Sequence, residues 1–381
     1  MTDPQPPPSG NLQPALPRPM YVDEQAFARE RDRVLFGEWF CLGRISDLGL
    51  AEPRRVAVVD VVGESVLVTR DDSGELRASY NVCRHRGSQL FPAEPGSDVL
   101  TCGAAALRCP YHSWTYSLAG ELLRAPHAEG LDPAAFALHP VGVGEWAGFV
   151  FVHLSPATAQ PLAPSVSRAQ ERLERYAMGE LVTAVTLGYD VAANYKVITE
   201  NFNECYHCGP VHPELSRLVP AFAGGGGDLD WDEGIPHRDG AWTFTLSGTT
   251  TRAPLPGLDE AERTRHKGEL VHPNLMLSCS ADHVAAFVLR PQGVARTRVD
   301  CVLLFAAHEV ATPGFDPSDA VELWDLVNRQ DWAICESVQR GMSSRSYTHG
   351  WVSPMEDDSA DIRRWLLPRL STVEPVETTD D

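Results

Sequence analysis

The chain has no apolar run of eighteen residues, so no membrane-spanning helix is expected. Positive charge is scarce. The 32 Lys and Arg residues stand against 52 Asp and Glu, a formal charge of −20, which repels nucleic acid and anionic membrane surfaces. Residues Met1 to Pro19 are rich in proline and polar side chains and lack the basic and apolar blocks of a signal peptide. They read as a disordered lead, and a cytoplasmic location is expected. No glycine fingerprint for a nicotinamide or flavin is visible: Gly224-Gly-Gly-Gly227 lacks the strand–turn–helix setting and reads as a flexible loop. No tandem repeat is present. With 381 residues and 43% hydrophobic content there is enough chain for two compact domains. Nine cysteines, several beside histidine, point to metal ligation in a reducing compartment rather than to a disulfide framework.

Two short runs concentrate the chemistry of the first half. Cys83-Arg-His85 and Cys109-Pro-Tyr-His112 each offer one thiolate and one imidazole, and 23 residues separate them. A Rieske [2Fe–2S] centre uses such a mixed set. The cysteines hold one iron and the histidines the other, which raises the potential above that of an all-cysteine cluster. A structural zinc site is the alternative, although Cys-x-His is a poorly shaped half-site for zinc. Cys102 has no histidine three residues on and reads as a small loop or core residue.

The pattern around these runs is β. Val56-Ala-Val-Val59 and Ser65-Val-Leu-Val-Thr69 are strand-like, turn signals such as Asp71-Asp-Ser-Gly74 follow, and Phe149-Val-Phe-Val152 reads as a further strand. The expected divisions are a disordered lead, 1–19; a leading helix within 20–38, amphipathic from Tyr21 to Phe36; an all-β module, 39–156; a linker, Ala157 to Pro164; a mixed domain, 165–370; and an acidic, disordered tail, 371–381. In the mixed domain Asn274–Ser280, His283–Leu289 and Thr297–His308 succeed one another across short turns, which predicts an antiparallel meander. A long C-terminal helix should follow, with Asp316 as N-cap, Pro317 in the first turn and Asp319 three residues after the cap.

A second block of chemistry runs from Asn201 to His212. Glu204 and His207 are three apart and would share a helix face, while Gly209-Pro210 would break the helix and let His212 turn back to the same ion. Two histidines need one carboxylate to form a facial triad that leaves positions open on iron(II). Periodicity offers Asp331, which interrupts an apolar stripe of Trp324, Val327, Ile334 and Val338 on the C-terminal helix. An ion pair with Arg329, or a less buried stripe, is the alternative. Cys205-Tyr-His-Cys208 could be a redox dithiol, but its position inside this motif favours packing residues.

Together these motifs resemble the α-subunits of Rieske non-haem iron oxygenases, the ring-hydroxylating superfamily, over about residues 20 to 370. Cys83 to Gly87 resembles Cys-x-His-Arg-Gly, Cys109 to Trp114 resembles Cys-Pro-Tyr-His-x-Trp, and Asn201 to His212 resembles Asn-x-x-Glu/Asp-x-x-His-x₄-His. Arg329-Gln-Asp-Trp332 is similar to the third-ligand helix. Two departures stand out: members usually carry glycine where this chain has Ser113, and Gly103 to Ala106 looks like an insertion.

The resemblance implies an α+β chain, an all-β Rieske domain followed by a helix-grip (START-like) antiparallel sheet domain. It implies a [2Fe–2S] cluster on Cys83, His85, Cys109 and His112, and a mononuclear Fe(II) on His207, His212 and Asp331. Glu204 then corresponds to the carboxylate that bridges a Rieske-ligand histidine to an iron-ligand histidine across subunits of a homotrimer. Oxygen would be the co-substrate. Electrons would come from a separate NAD(P)H reductase carrying flavin and a plant-type [2Fe–2S] centre.

The phrase Glu200 to Cys208, His212-Pro-Glu214 and the run Pro273-Asn-Leu-Met276 resemble the branch that handles choline, glycine betaine and carnitine. That implies monooxygenation of a quaternary ammonium compound, by N-demethylation or methyl hydroxylation. A methylammonium group suits an aromatic cage, for which Phe202, Tyr206, Trp231, Trp242 and Phe244 are candidates, each of which could also be ordinary core. The alternative is hydroxylation or cis-dihydroxylation of an aromatic acid, which would need an arginine or an amide. A Rieske electron carrier is a third class, disfavoured because a carrier needs no vacant iron site.

Overall fold

The computed structural model describes residues 11–371 except 94–95, 97–98 and 227–228. The expected disorder of residues 1–10 and of the tail beyond Ser371 falls outside the described residues, as does Gly227 of the glycine loop.

Side-chain alternation along four consecutive strands builds the centre of the molecule. Arg265–Val271, Leu275–Cys279, His283–Gly293 and Arg296–Ala306 form an antiparallel meander. Leu181–Val191 pairs beyond the last strand and Ile235–Pro236 beyond the first, completing a six-stranded sheet. The expected meander is therefore present with one more strand ahead of it, and its last run ends at Ala306, where a short helix Ala307–Val310 begins. Phe287, Leu289, Leu303 and Phe305 face one side of the sheet, and Val284, Ala286, Val302 and Leu304 face the other. Both sets are buried, so each face carries a core.

The helix Ser318–Met342 closes the first core with Leu323, Trp324, Val327 and Trp332. Asp316 starts it by accepting the Ser318 N–H at 2.9 Å, with Pro317 between. Two side-chain bonds fix its position on the sheet: Trp324 Nε1 donates to His283 Nε2, and Tyr189 Oη donates to Asp325 Oδ1, each at 2.8 Å. The helix Leu162–Leu173 closes the second core with Val166, Ala169 and Leu173, joined by Trp39, Phe149 and Phe151. The expected linker to Pro164 is thus too long. The helix begins at Leu162 because its apolar face has a sheet to cover.

The N-terminal module is all β. Leu76–Tyr80, Glu64–Arg70, Arg55–Val61 and Leu100–Gly103 form one sheet; Gly142–Trp146, Phe149–His153 and Phe40–Arg44 form a second; Leu107–Arg108, Thr115–Tyr116 and Leu122–Arg124 form a small third. Cys102 is paired with Val56 in the first of these and packs, partly buried, against the module's core. Asn274 ties this module to the six-stranded sheet, accepting the Cys41 N–H and donating to the Cys41 carbonyl, both at 2.8 Å.

The N-terminal segment departs from expectation. Gln13–Pro17 is a strand paired with His349–Val352, and Leu16 is buried. A neighbouring edge supplies the backbone partners that a proline-rich run cannot supply itself. The leading helix is divided into Pro19–Val22, Glu24–Glu30 and a wider turn Arg31–Leu35. Asp23 makes the division by capping the second piece, accepting the Ala26 N–H at 2.8 Å. Glu30 fastens this segment to the helix Tyr195–Phe202, accepting from Tyr195 Oη at 2.6 Å and from Lys196 Nζ at 2.9 Å on both oxygens. The pair is fully buried, so losing one partner would strand the other charge.

Candidate metal centres and substrate cavity

Two loops of one design form the tip of the N-terminal module. In each, the residue four beyond the cysteine is left-handed and returns its N–H to the cysteine carbonyl at 3.1 Å: Gly87 (φ 76°) to Cys83, and Ser113 (φ 63°) to Cys109. This equivalence accounts for the departure at Ser113. The position asks for a conformation that glycine adopts freely and a side chain holds at about 1–2 kcal/mol. Ser113 Oγ accepts from Arg108 at 2.8 Å. Cys83 and Cys109 lie in the module core, whereas His85 and His112 are exposed with ring centroids 4.7 Å apart. His85 is also stacked on Trp114. Two buried thiols beside two exposed imidazoles fit the mixed donor set that a Rieske cluster takes.

The second motif reaches its geometry by a different local route from the one its spacing suggests. The helix Tyr195–Phe202 ends before Glu204, so Glu204 and His207 share a turn rather than a helix face. The Glu204 carboxylate closes that turn, accepting the N–H groups of Tyr206 and His207 and meeting His207 Nδ1 at 2.5 Å. Gly209-Pro210 does not break the chain either; both lie within the short helix Cys208–Val211. The break falls at His212 (φ −119°, ψ 70°), because Pro213 disfavours helical geometry in the residue before it and opens the helix Pro213–Leu218.

These turns bring His207, His212 and Asp331 together. His207 Nε2 is 3.2 Å from His212 Nε2, and Asp331 Oδ1 lies 2.9 Å from His212 Nε2 and 3.3 Å from His207 Nε2. Ligands about 2.1 Å from an ion and at right angles stand about 3.0 Å apart, so the triangle fits one face of an octahedron. Burial raises the Asp331 carboxyl, but hydrogen bonds from His207 and His212 hold it below the usual range. Burial lowers His207, yet its bonds to Asp331 and Glu204 bring it up to about 10. Arg329 pairs with Asp325 at 2.8 Å, not with Asp331.

The helix places Asp331 at the edge of its buried face. Ile334 and Val338, expected in the buried stripe, are 37% and 39% exposed. The row Trp324, Val327, Asp331, Ile334, Val338 advances about 3.5 residues per turn and slides sideways on a helix of about 3.6. The buried row runs instead through Trp324, Asn328, Trp332, Cys335, Gln339 and Met342.

Gln330, which the motif reading passes over, meets His212 Nδ1 at 2.8 Å with Oε1 and donates to Glu214 Oε2 at 3.1 Å. Its one sequence signal is adjacency to Asp331. Asn201 Nδ2 lies 3.1 Å from His207 Nε2. Cys205 and Cys208 are buried in the core; the Cys205 thiol and burial push Cys208 far up, opposite to a redox thiolate.

The triad opens onto a cavity of about 1060 Å³ with an aromatic wall. Trp231 stacks on Phe222 at 6.0 Å, Phe244 on His266 at 4.2 Å, and Trp324 contacts Phe244 at 5.4 Å and Phe287 at 5.8 Å. Phe202 follows Phe287 at 6.2 Å. Of the five expected aromatics, Phe202, Trp231 and Phe244 line the cavity and two do not. Tyr206 is 52% exposed, carried outward on the turn that Glu204 closes. Trp242 packs, partly buried, against the core on the other face of the sheet, whereas Phe244, two residues on, is buried in the first. Phe222, Phe287, Trp324, Trp332 and Trp365 also line the cavity and were not among the expected aromatics.

An all-β module with a Cys₂His₂ tip, followed by a sheet-and-helix domain with a two-histidine, one-carboxylate cluster, defines a Rieske-type oxygenase. Residues 38–136 match the Rieske [2Fe-2S] domain and residues 178–372 match the ring hydroxylating alpha subunit (catalytic domain); the chain belongs to that family. It is accordingly an oxygenase with a Rieske cluster and a mononuclear iron, and it works with a partner reductase on a small molecule. It is 30% identical to the glycine betaine monooxygenase oxygenase subunit of Pseudomonas aeruginosa, over 88% of this chain and 84% of that one. It is also 30% identical to the carnitine monooxygenase oxygenase subunit of Acinetobacter pittii, over 87% and 86%. A solved quaternary ammonium Rieske monooxygenase superposes with a TM-score of 0.73 at 25% identity, covering 95% and 96% of the two chains. Among the described residues no helix is long and apolar enough to cross a membrane.

Proposed function

We propose that this chain is the terminal oxygenase of a system that monooxygenates a methylammonium compound. The observation that carries the reading is the His207–His212–Asp331 triangle opening directly onto an aromatic-walled cavity. Aromatic faces stabilise a fixed positive charge once it leaves water. The relatives named for glycine betaine and carnitine support the same substrate class.

In this reading Cys83, His85, Cys109 and His112 hold the [2Fe–2S] cluster, and His207, His212 and Asp331 hold Fe(II). The bound iron would supply oxygen activation. The chain's own side chains do the rest: the wall of Phe244, Trp324 and Phe287 positions a methyl group beside the triad and keeps water away, and Gln330 keeps the proton of His212 on Nδ1. Glu204 would link His207 to a Rieske histidine of a neighbouring subunit, a reading supported by its bond to His207 Nδ1 and by the exposed Tyr206 beside it. That role requires a homotrimer. For N-demethylation, one C–H of a methyl group becomes C–OH and collapses to formaldehyde and the dimethylammonium product. The second oxygen atom leaves as water, with two electrons and two protons consumed. The electrons come from NAD(P)H through a reductase that carries flavin and a plant-type [2Fe–2S] centre, in the cytoplasm. We also infer that the functional divisions are 39–156 for the Rieske domain and 165–370 for the catalytic domain.

The test is turnover with a competent reductase, NADH and a panel of methylammonium compounds. Oxygen uptake with release of formaldehyde or a hydroxylated product is expected. Conversion of benzoate-like acids to cis-diols, with no response to any methylammonium compound, would move the chain to the aromatic-acid class.

A further inference from the structure

The charges around the cavity narrow the substrate further. Seven carboxylates and three guanidinium groups belong to its lining. All three guanidinium groups are already engaged. Arg168 lies 3.2 Å from Asp232 and 3.3 Å from Glu269. Arg172 pairs with Glu269, lies 3.0 Å from Asp232, and donates to the carbonyls of Gly268 and Trp231. Arg364 lies 2.6 Å from Asp357 and 3.0 Å from Asp361. Among the described residues, then, no lining arginine lacks a carboxylate, and no lysine lines the cavity.

We propose, building on the methylammonium reading above, that the cavity selects a substrate of net positive charge with a neutral polar end, such as a methylammonium alcohol or ester, over a zwitterionic betaine. A substrate carboxylate placed here would have to break one of these ion pairs or sit unpaired among like charges, and like-charge juxtaposition is strongly unfavourable in a partly desolvated site. The mouth already shows that strain: burial, followed by its neighbours Asp361 and Asp357, raises the Asp358 carboxyl. The polar feature set into the aromatic wall is neutral. Ser278 Oγ lies 3.3 Å from His266 Nε2, both residues line the cavity, and His266 Nδ1 has no hydrogen-bond partner. Burial, reinforced by His237 and His283, brings His266 down to about 3, so the ring is uncharged at neutral pH. An uncharged imidazole and a hydroxyl suit an alcohol or carbonyl oxygen and offer a carboxylate no counter-charge.

The experiment compares choline, glycine betaine and glycine betaine methyl ester with the intact oxygenase and a competent reductase, reading product and kcat/KM. The ester keeps the methylammonium group of the betaine and erases only the negative charge. Choline and the ester should exceed glycine betaine on the order of tenfold or more in kcat/KM. Glycine betaine at or above either of them overturns this inference and leaves the methylammonium reading standing; product from none of the three overturns this inference too, and the methylammonium reading falls with it only if no methylammonium compound is turned over. Arg168 and Arg172 share Asp232 and Glu269, so Glu269→Gln and Asp232→Asn each halve the carboxylates that hold the two arginines, and should narrow the preference several-fold by improving glycine betaine. Asp232 is largely exposed, so its variant remains informative if the buried Glu269 variant fails to fold. An unchanged ratio in folded Asp232→Asn would overturn the claim that ion pairing closes the arginines to substrate.

Discussion

Gln330 is the place where the proposed iron site can be loosened without touching a proposed ligand. His212 is 1% exposed, and its Nδ1 has Gln330 Oε1 as partner at 2.8 Å. An acceptor there keeps the proton on Nδ1 and leaves the Nε2 lone pair for the metal. Gln330 is itself held by its bond to Glu214. Gln330→Leu keeps the bulk and removes both bonds. A buried N–H without an acceptor costs about 1–3 kcal/mol, and the ring is freed to change tautomer. Loss of such an outer partner typically weakens metal binding about 10- to 100-fold, which is about 1.4–2.7 kcal/mol, so the two routes to a magnitude agree. The assay is an anaerobic titration of protein stripped of its mononuclear iron with Co(II), followed by absorption, with the cluster spectrum confirming that the N-terminal module is intact. Glu214→Gln should have a smaller effect, because the carboxylate is partly exposed and acts only through Gln330. A Co(II) affinity within about threefold of wild type in Gln330→Leu would refute the positioning role.

Three other outcomes are expected. Glu204→Gln should retain both metals and a reducible cluster while product formation nearly vanishes; wild-type turnover would reduce Glu204 to the carboxylate that closes a turn. Ser113→Gly should stabilise the chain by about 0.5–1 kcal/mol, since relief of the left-handed serine outweighs the added flexibility of the unfolded glycine, and a lower melting temperature would contradict this. His237 is brought down to about 4 by burial alone. The unfolded ring takes up a proton below its ordinary value of about 6.5 while the folded one does not, so stability falls as pH drops from about 6.5 towards 4. At pH 5 that loss is about 2 kcal/mol, and His237→Phe should remove it; urea unfolding at pH 7.5 and 5 that shows equal losses in both proteins would count against the assignment.

The Rieske tip was legible because its determinants are local. Cys83 and His85, and Cys109 and His112, are each held by one turn, and even the departure at Ser113 marks the position equivalent to Gly87. The strands from Leu275 to Ala306 were legible for a similar reason: short turns join them, and burial on both faces makes each a largely apolar run. Leu181–Val191 was not, since it pairs with Arg296–Ala306 across more than a hundred intervening residues and only Leu181 and Val191 of its eleven residues are buried. Gln13–Pro17 likewise depends on His349–Val352, an edge at the far end of the chain.

The His207–His212–Asp331 cluster shows how a residue can be picked out by an incomplete local argument. Asp331 was picked out as a charge in an apolar stripe, yet that stripe leaves the core after Asp331. A fully buried aspartate would have had to find a partner inside the core, whereas one at the drifting edge faces the cavity and can meet His207 and His212. The same holds for His212, whose non-helical geometry comes from Pro213 and not from Gly209-Pro210. Breaks and edges, more than regular faces, bring the three donors together. The cavity wall is harder still to read. Phe222 sits on a short helix, Trp231 in a loop, Phe287 on a strand and Trp324 on the long helix, and each looks locally like ordinary core. Only the packing of that helix across the sheet makes them one surface, so the metal chemistry can be read from motifs while the choice of substrate resides in long-range contacts.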